Sequence, residues 1–234
     1  MMGEARRKPA RSRTRRKAGD TRSDAELMAA LVDAALPLIP FDGVSDKVLR
    51  AAAAAAEIDL VTLERLFPNG PLSLAEALSL AADREMETRL AALDLAHMKV
   101  RARITTAIRT RLDILRPHKE AARRTAAFLT LPPHAAMGAK LLYRTVDAIW
   151  RAAGDTATDF NFYTKRGLLA AVYSATLVRW FNDESDGEVD TDTFLARRIE
   201  NVMGFEKLKA KLRERVRHLP SLADILRGPA PRRR

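Results

Sequence analysis

Apolar residues in this chain recur at helical spacing, and almost nowhere at the alternation of a strand. Leu27, Leu31 and Ala34 or Ala35 share one face of a segment capped by Ser23 or Asp24, which predicts a helix to about residue 36. Residues 37–43 read as a break. Ser45 caps a second helix through the alanine run 51–56, and residues 58–67 make a short third one closed by Pro68-Asn69-Gly70. Longer helices are expected over 73–93 and 94–115, and Pro117 suits the first turn of another that ends near 129. Beyond Pro132-Pro133, helices are expected over 134–153, closed by Gly154, and over 159–181. An acidic loop at 182–187 follows, and Thr191 opens a helix towards Met203. The pattern predicts an all-α fold of nine or ten helices, with no strand and no internal repeat.

The last periodic element differs in character. Phe205, Leu208, Leu212, Val216 and Leu219 fall in steps of three or four, with six Lys or Arg between them against two Glu. Such a basic amphipathic helix suits an anionic membrane interface or a partner surface; a core-packing helix with a solvated basic face remains open. Pro220 stops it.

Composition narrows this picture. A chain of 234 residues with 47% hydrophobic content has ample length for a core. It contains no cysteine, which removes disulfide and thiolate chemistry and suits a cytoplasmic protein. No apolar run reaches the ~18 residues that span a bilayer. The net charge of +11 is confined to the ends: residues 1–22 carry nine bases and two acids, residues 227–234 four bases and no acid. The body is therefore neutral. The organisation expected is a basic tail (1–22), a three-helix headpiece (23–70), a helical body (71–203), the amphipathic helix (204–219) and a C-terminal tail (220–234).

Catalytic parts are missing. The four histidines, His97, His118, His134 and His218, form no HExxH pair, and Asp94 with His97 is a lone DxxH. GxSxG, GxGxxG and GxxxxGK[ST] do not occur. Neither an enzyme nor a bound cofactor or metal is expected. The headpiece, closed by LFPNG, resembles the DNA-binding domain of TetR-type regulators. Its candidate recognition helix nevertheless shows Glu57, Asp59 and Glu64 against Arg65 alone, the wrong charge for phosphate and base edges. No specific nucleic acid is expected, and a ligand-responsive TetR-type regulator is the second reading.

Bulky apolar residues concentrate elsewhere. Eight of the 13 aromatics lie between Tyr143 and Phe181, around the joint IWRAAGDTATDFNFYTKR. Leu141, Leu142, Thr145, Val146, Ile149 and Trp150 lie along the helix before the joint. Leu169, Val172, Tyr173, Thr176, Leu177 and Trp180 lie along the one after it. Two such helices make either an ordinary core or the wall of an apolar ligand cavity.

The segments LDILRPHKEAARRTAAFL and KLLYRTVDAIWRAAGDTATDFNFYTKRGLLAAVYSATLVRW resemble the ubiquinone-biosynthesis lipid-binding accessory family, the ninth of the Coq proteins. The likeness covers roughly residues 113–202; before that it is mainly one of fold. It implies a TetR-like protein, a homodimer, that binds an isoprenoid quinone lipid with the twelve residues just named. It also implies a peripheral place on the inner membrane through Phe205, Leu208, Leu212, Val216 and Leu219. The family docks a demethoxyubiquinone hydroxylase on a patch matched here by Asp159, Phe162, Tyr163 and Arg166, with Phe162 where a Trp is common. On that reading Trp150 faces inward, and Tyr163 and Arg166 face outward.

Overall fold

The computed structural model describes residues 22–154 and 160–202, with side chains of the second segment described from Thr164 onward. Its helices are α1 (Asp24–Ala35), α2 (Ile39–Asp42), α3 (Asp46–Ala55), α4 (Leu60–Leu66), α5 (Pro71–Ala91), α6 (Val100–Leu115), α7 (Lys119–Thr130), α8 (Ala135–Ala152) and α9 (Phe160–Phe181). Residues 189–202 form a further helix, α10. No strand occurs among the described residues. The expected amphipathic helix with Phe205, Leu208, Leu212, Val216 and Leu219 lies outside them.

Local chemistry sets the starts. Ser23 and Glu26 form a capping box on α1: the Glu26 amide donates to Ser23 Oγ at 3.3 Å, and the Ser23 amide to Glu26 Oε2 at 2.7 Å. Ser45 caps α3, and Asp59 caps α4 by accepting from the Thr62 amide at 2.9 Å.

Three expectations are corrected in detail. The break at 37–43 contains the single turn α2, anchored by the fully buried Ile39. The helix expected from Asp94 starts only at Val100. There the Arg103 guanidinium donates to the Met98 and Ala96 carbonyls at 2.9 and 2.8 Å, which pins the preceding turn. Thr191 does not open α10; its amide and hydroxyl both donate to Asp183, which folds the loop back under the helix.

Two apolar clusters share α5. Leu27, Leu31, Val48, Ala52, Leu63 and Phe67 of the headpiece pack on Leu74, Ala75 and Ala77 of α5 and on Ala121 of α7. Met86 and Leu90, further along α5, join Ile108 of α6, Val146 and Ile149 of α8, Tyr173 and Trp180 of α9, and Leu195 of α10. Each Val, Leu, Ile, Phe or Met side chain of these clusters contributes on the order of 1.5–3 kcal/mol when fully buried. Helices α7 and α8 approach closely at Gly138, where a Cβ would stand 2.6 Å from the Leu129 carbonyl oxygen.

Candidate functional site: an apolar cavity with one polar wall

Between the two clusters, α1, α5, α6, α7, α8 and α9 line a half-open cavity of about 690 Å³, whose lining also includes the exposed Asp33, Glu85 and His118. Val32 and Leu36 of α1 form one side, with Leu78, Ala81 and Ala82 of α5 beside them. Ala121, Ala122, Ala126 and Leu129 of α7 and Leu141 and Leu142 of α8 continue the lining. Ile114 and Leu115 of α6 and Leu177, Val178 and Phe181 of α9 complete it. Small residues explain the space. Alanines on α5 and α7 leave room that larger side chains would fill, while the helices stay separated by the bulk of the two flanking cores. Polar groups on this lining are partly spent: Thr125 donates its hydroxyl to the Ala121 carbonyl of its own helix at 2.8 Å.

One patch of the wall is different. Arg111 of α6, only 5% exposed, donates from Nε to Asp83 Oδ1 at 2.7 Å, from Nη1 to the Tyr173 hydroxyl, and from Nη2 to Ser79 Oγ at 3.3 Å. Thr145 donates to both Asp83 oxygens at 3.0 Å. Burial opposes the Arg111 charge, but the Tyr173 oxygen and the Asp83 carboxylate together hold its pKa above the ordinary value. Burial pushes the Tyr173 phenol up, so it stays protonated at neutral pH. Ser79, Arg111, Thr145 and Tyr173 all line the cavity.

Of the twelve residues proposed from sequence to contact lipid, Leu141, Leu142, Thr145, Tyr173 and Leu177 line this cavity. Val146, Ile149, Leu169, Val172 and Trp180 are instead interior to the second core, and Thr176 is buried with its hydroxyl on the Val172 carbonyl. They hold the wall up from behind. Trp150 is half-buried against the same core and donates its indole N–H to the Lys165 carbonyl at 3.3 Å, tying α8 to the start of α9. The sequence-based set missed the α5, α6 and α7 walls. Their signal was the alanine spacing of α7 and the charged pair Asp83 and Arg111 on otherwise apolar helix faces.

The docking patch needs one correction. Asp159 and the side chains of Phe162 and Tyr163 lie outside the described residues. Arg166 does not face outward: it is 4% exposed, and its Nε donates to Asp147 Oδ1 of α8 at 2.8 Å. A guanidinium about two turns into α9 is the natural partner for a carboxylate on the adjoining helix, and burial accompanies that pairing. Before the joint, Gly154 adopts φ +83° and a Cβ there would lie 2.9 Å from Arg103 Nη1, which itself donates to the Ala153 carbonyl at 3.0 Å. The positive φ is what favours glycine here.

The headpiece carries no comparable chemistry on α4. Leu60 and Val61 are exposed, and the one cation of that helix, Arg65, forms a bidentate pair with Asp24 at 2.6 and 2.7 Å. Its strongest electrostatic attachment is thus internal. Among the described residues no cluster of three His, Asp or Glu side chains fits a metal ion, and no helix is long and apolar enough to cross a membrane.

The fold is that of a TetR-like all-α protein. It aligns with the crystal structure of a TetR transcriptional regulator from Nitrosomonas europaea at a TM-score of 0.59 and 22% identity, over 75% of this chain and 97% of that one. Its family likeness is to the COQ9 proteins, whose family profile matches residues 135–206. The ubiquinone biosynthesis protein COQ9, mitochondrial, of Homo sapiens is 30% identical over 190 residues, 79% of this chain and 60% of its own. The corresponding COQ9-B protein of Xenopus laevis is 29% identical over 191 residues, 79% of this chain and 65% of its own. The Drosophila melanogaster protein is 25% identical over 186 residues, 78% of this chain and 57% of its own. The chain thus spans about three-fifths of the length of the curated relatives it matches.

Proposed function

We propose that this chain is a non-catalytic accessory protein of ubiquinone biosynthesis that binds a polyprenylated quinone precursor and presents it to a partner hydroxylase at a membrane. The observation that carries the reading is the 690 Å³ apolar cavity built partly from α8 and α9, the helices inside the COQ9-like stretch. Burying isoprene there is favourable by roughly 25 cal/mol per Å² of apolar area removed from water. The relatives' names supply the pathway; the cavity supplies a physical reason for a lipid in it.

In this reading the basic amphipathic segment with Phe205, Leu208, Leu212, Val216 and Leu219 lies in the anionic interface of the inner membrane. The α8–α9 joint, through Asp159, Phe162 and Tyr163, meets the demethoxyubiquinone hydroxylase, and two copies of the chain pair. Arg166 contributes by fixing the orientation of α9 through Asp147 rather than by touching the partner.

A ligand-responsive regulator is the second reading, and the TetR-like fold is what favours it. The engagement of Arg65 by Asp24 and the acids of residues 57–64 weigh against it. Mass spectrometry of lipid co-purified with the full chain separates the two. An isoprenoid quinone recovered in near-stoichiometric amount supports the lipid reading; its absence, with specific binding to a duplex, replaces that reading by the regulator.

A further inference from the structure

A cavity meant for hydrocarbon alone has no use for the ion pair in its wall. Breaking even with water is hard for a buried Arg–Asp pair, and apolar side chains of similar volume generally serve stability as well or better. Yet Arg111 and Asp83 are 5% and 6% exposed, and three further polar side chains are arranged around them. The acceptors are used and donors are left over: Arg111 spends three of its five N–H groups, and the Ser79 hydroxyl accepts one of them. Asp83 accepts from Arg111 and Thr145, and Arg111 donates to Asp83, Tyr173 and Ser79. The Tyr173 hydroxyl accepts from Arg111, which leaves its own proton. Among the described residues no acceptor takes that proton, although Tyr173 is 3% exposed and lines the cavity.

A buried hydroxyl with an unspent proton costs free energy unless something accepts it. Donation from the guanidinium to the phenol oxygen also makes the remaining O–H a stronger donor. We infer that Tyr173, backed by Arg111 and Asp83, is a head-group subsite that receives a neutral acceptor oxygen, a quinone carbonyl or ring ether, on the cavity ligand. This rests on the lipid-binding reading and deepens it. Because Asp83 already neutralises Arg111, the subsite favours an uncharged oxygen over a carboxylate or phosphate. The head lies against α5, α6, α8 and α9, and the hydrocarbon tail runs along the alanine-lined side towards α1 and α7.

The test uses the full chain and two probes with the same tail, a decyl-substituted benzoquinone and decylbenzene. Their dissociation constants are measured for the wild type and for Tyr173→Phe, which keeps the ring and removes the donor. The subsite predicts an about tenfold weaker quinone in the variant and unchanged decylbenzene. Equal quinone binding by both proteins overturns the proposal and leaves the lipid reading intact. Binding of neither probe to the wild type removes the lipid reading and the subsite together. Should the variant fail to fold, infrared spectra of the quinone bound to the wild type decide. A carbonyl stretch shifted to lower frequency than in hexane is expected, and an unshifted one overturns the proposal.

Discussion

The headpiece and the body put their charged groups to opposite uses. On α4, the helix that a DNA-reading relative of this fold would lay in a groove, the single cation is bound to Asp24 on the surface, where water and salt weaken the pair. In the body, Arg111 is bound to Asp83 inside the protein, beside an apolar space. The first region keeps the shape of a regulator, with the one cation of its candidate recognition helix already engaged. The second keeps a buried charge that stability alone does not call for. On the lipid-binding reading proposed above, the cavity is the working part of this molecule.

Breaking the body's pair gives the largest expected effect. Asp83→Ala leaves Arg111 buried without its carboxylate, and denaturant unfolding should show a loss of about 3–5 kcal/mol. Replacing both together, Asp83→Leu with Arg111→Met, should restore most of that. A double variant as unstable as the single one would mean that the pair is there for stability after all.

The joint between α9 and α10 gives the next effect. Asp183 accepts from the amides and hydroxyls of both Ser185 and Thr191. Burial works to raise its pKa, but these hydrogen bonds win and hold it far below the ordinary carboxylate value. A depressed folded-state pKa contributes stability that is full above the unfolded value near 3.9 and is lost as pH falls below it. Asp183→Asn should therefore cost about 2–3 kcal/mol at neutral pH and less at pH 3, measured by denaturant unfolding at both. A cost equal at both values would contradict this assignment.

Smaller still is Gly138→Ala, whose new methyl must push α7 and α8 apart against the Leu129 carbonyl. A loss of about 2 kcal/mol is expected in thermal or denaturant unfolding. At the headpiece the expected effect is none. The full chain should bind a specific and a scrambled duplex equally, at every salt concentration, in a fluorescence anisotropy titration. A sequence preference there would erase the contrast between the two regions.

Much of the architecture was legible because helix signals are local. Ser23, Ser45, Gly154 and the prolines mark ends that the structure places within a few residues. The late start of α6 was not legible, because it depends on Arg103 reaching carbonyls of a turn that also contacts the end of α8. Half of the cavity was hidden for the same reason. Periodicity placed Leu141, Tyr173 and Leu177 on the right faces, but it cannot separate a residue facing a void from one facing a neighbour. Ile149 and Trp180 sit on those helices too, and they are core. The α7 alanines looked like mere helix formers until the opposite wall was known. Arg166 looked like an anchor for a partner, and only the position of Asp147 on the adjoining helix shows that it turns inward.

Cavity occupancy by an isoprenoid quinone is the central claim, and filling the space tests it most directly. Ala126 lines the cavity from α7, so Ala126→Phe places a ring in it without touching the polar wall. Isothermal titration with a short-chain isoprenoid quinone should give one site per chain in the wild type and at least about tenfold weaker binding in a folded Ala126→Phe protein. Equal binding by the two proteins would place the lipid elsewhere and contradict the account.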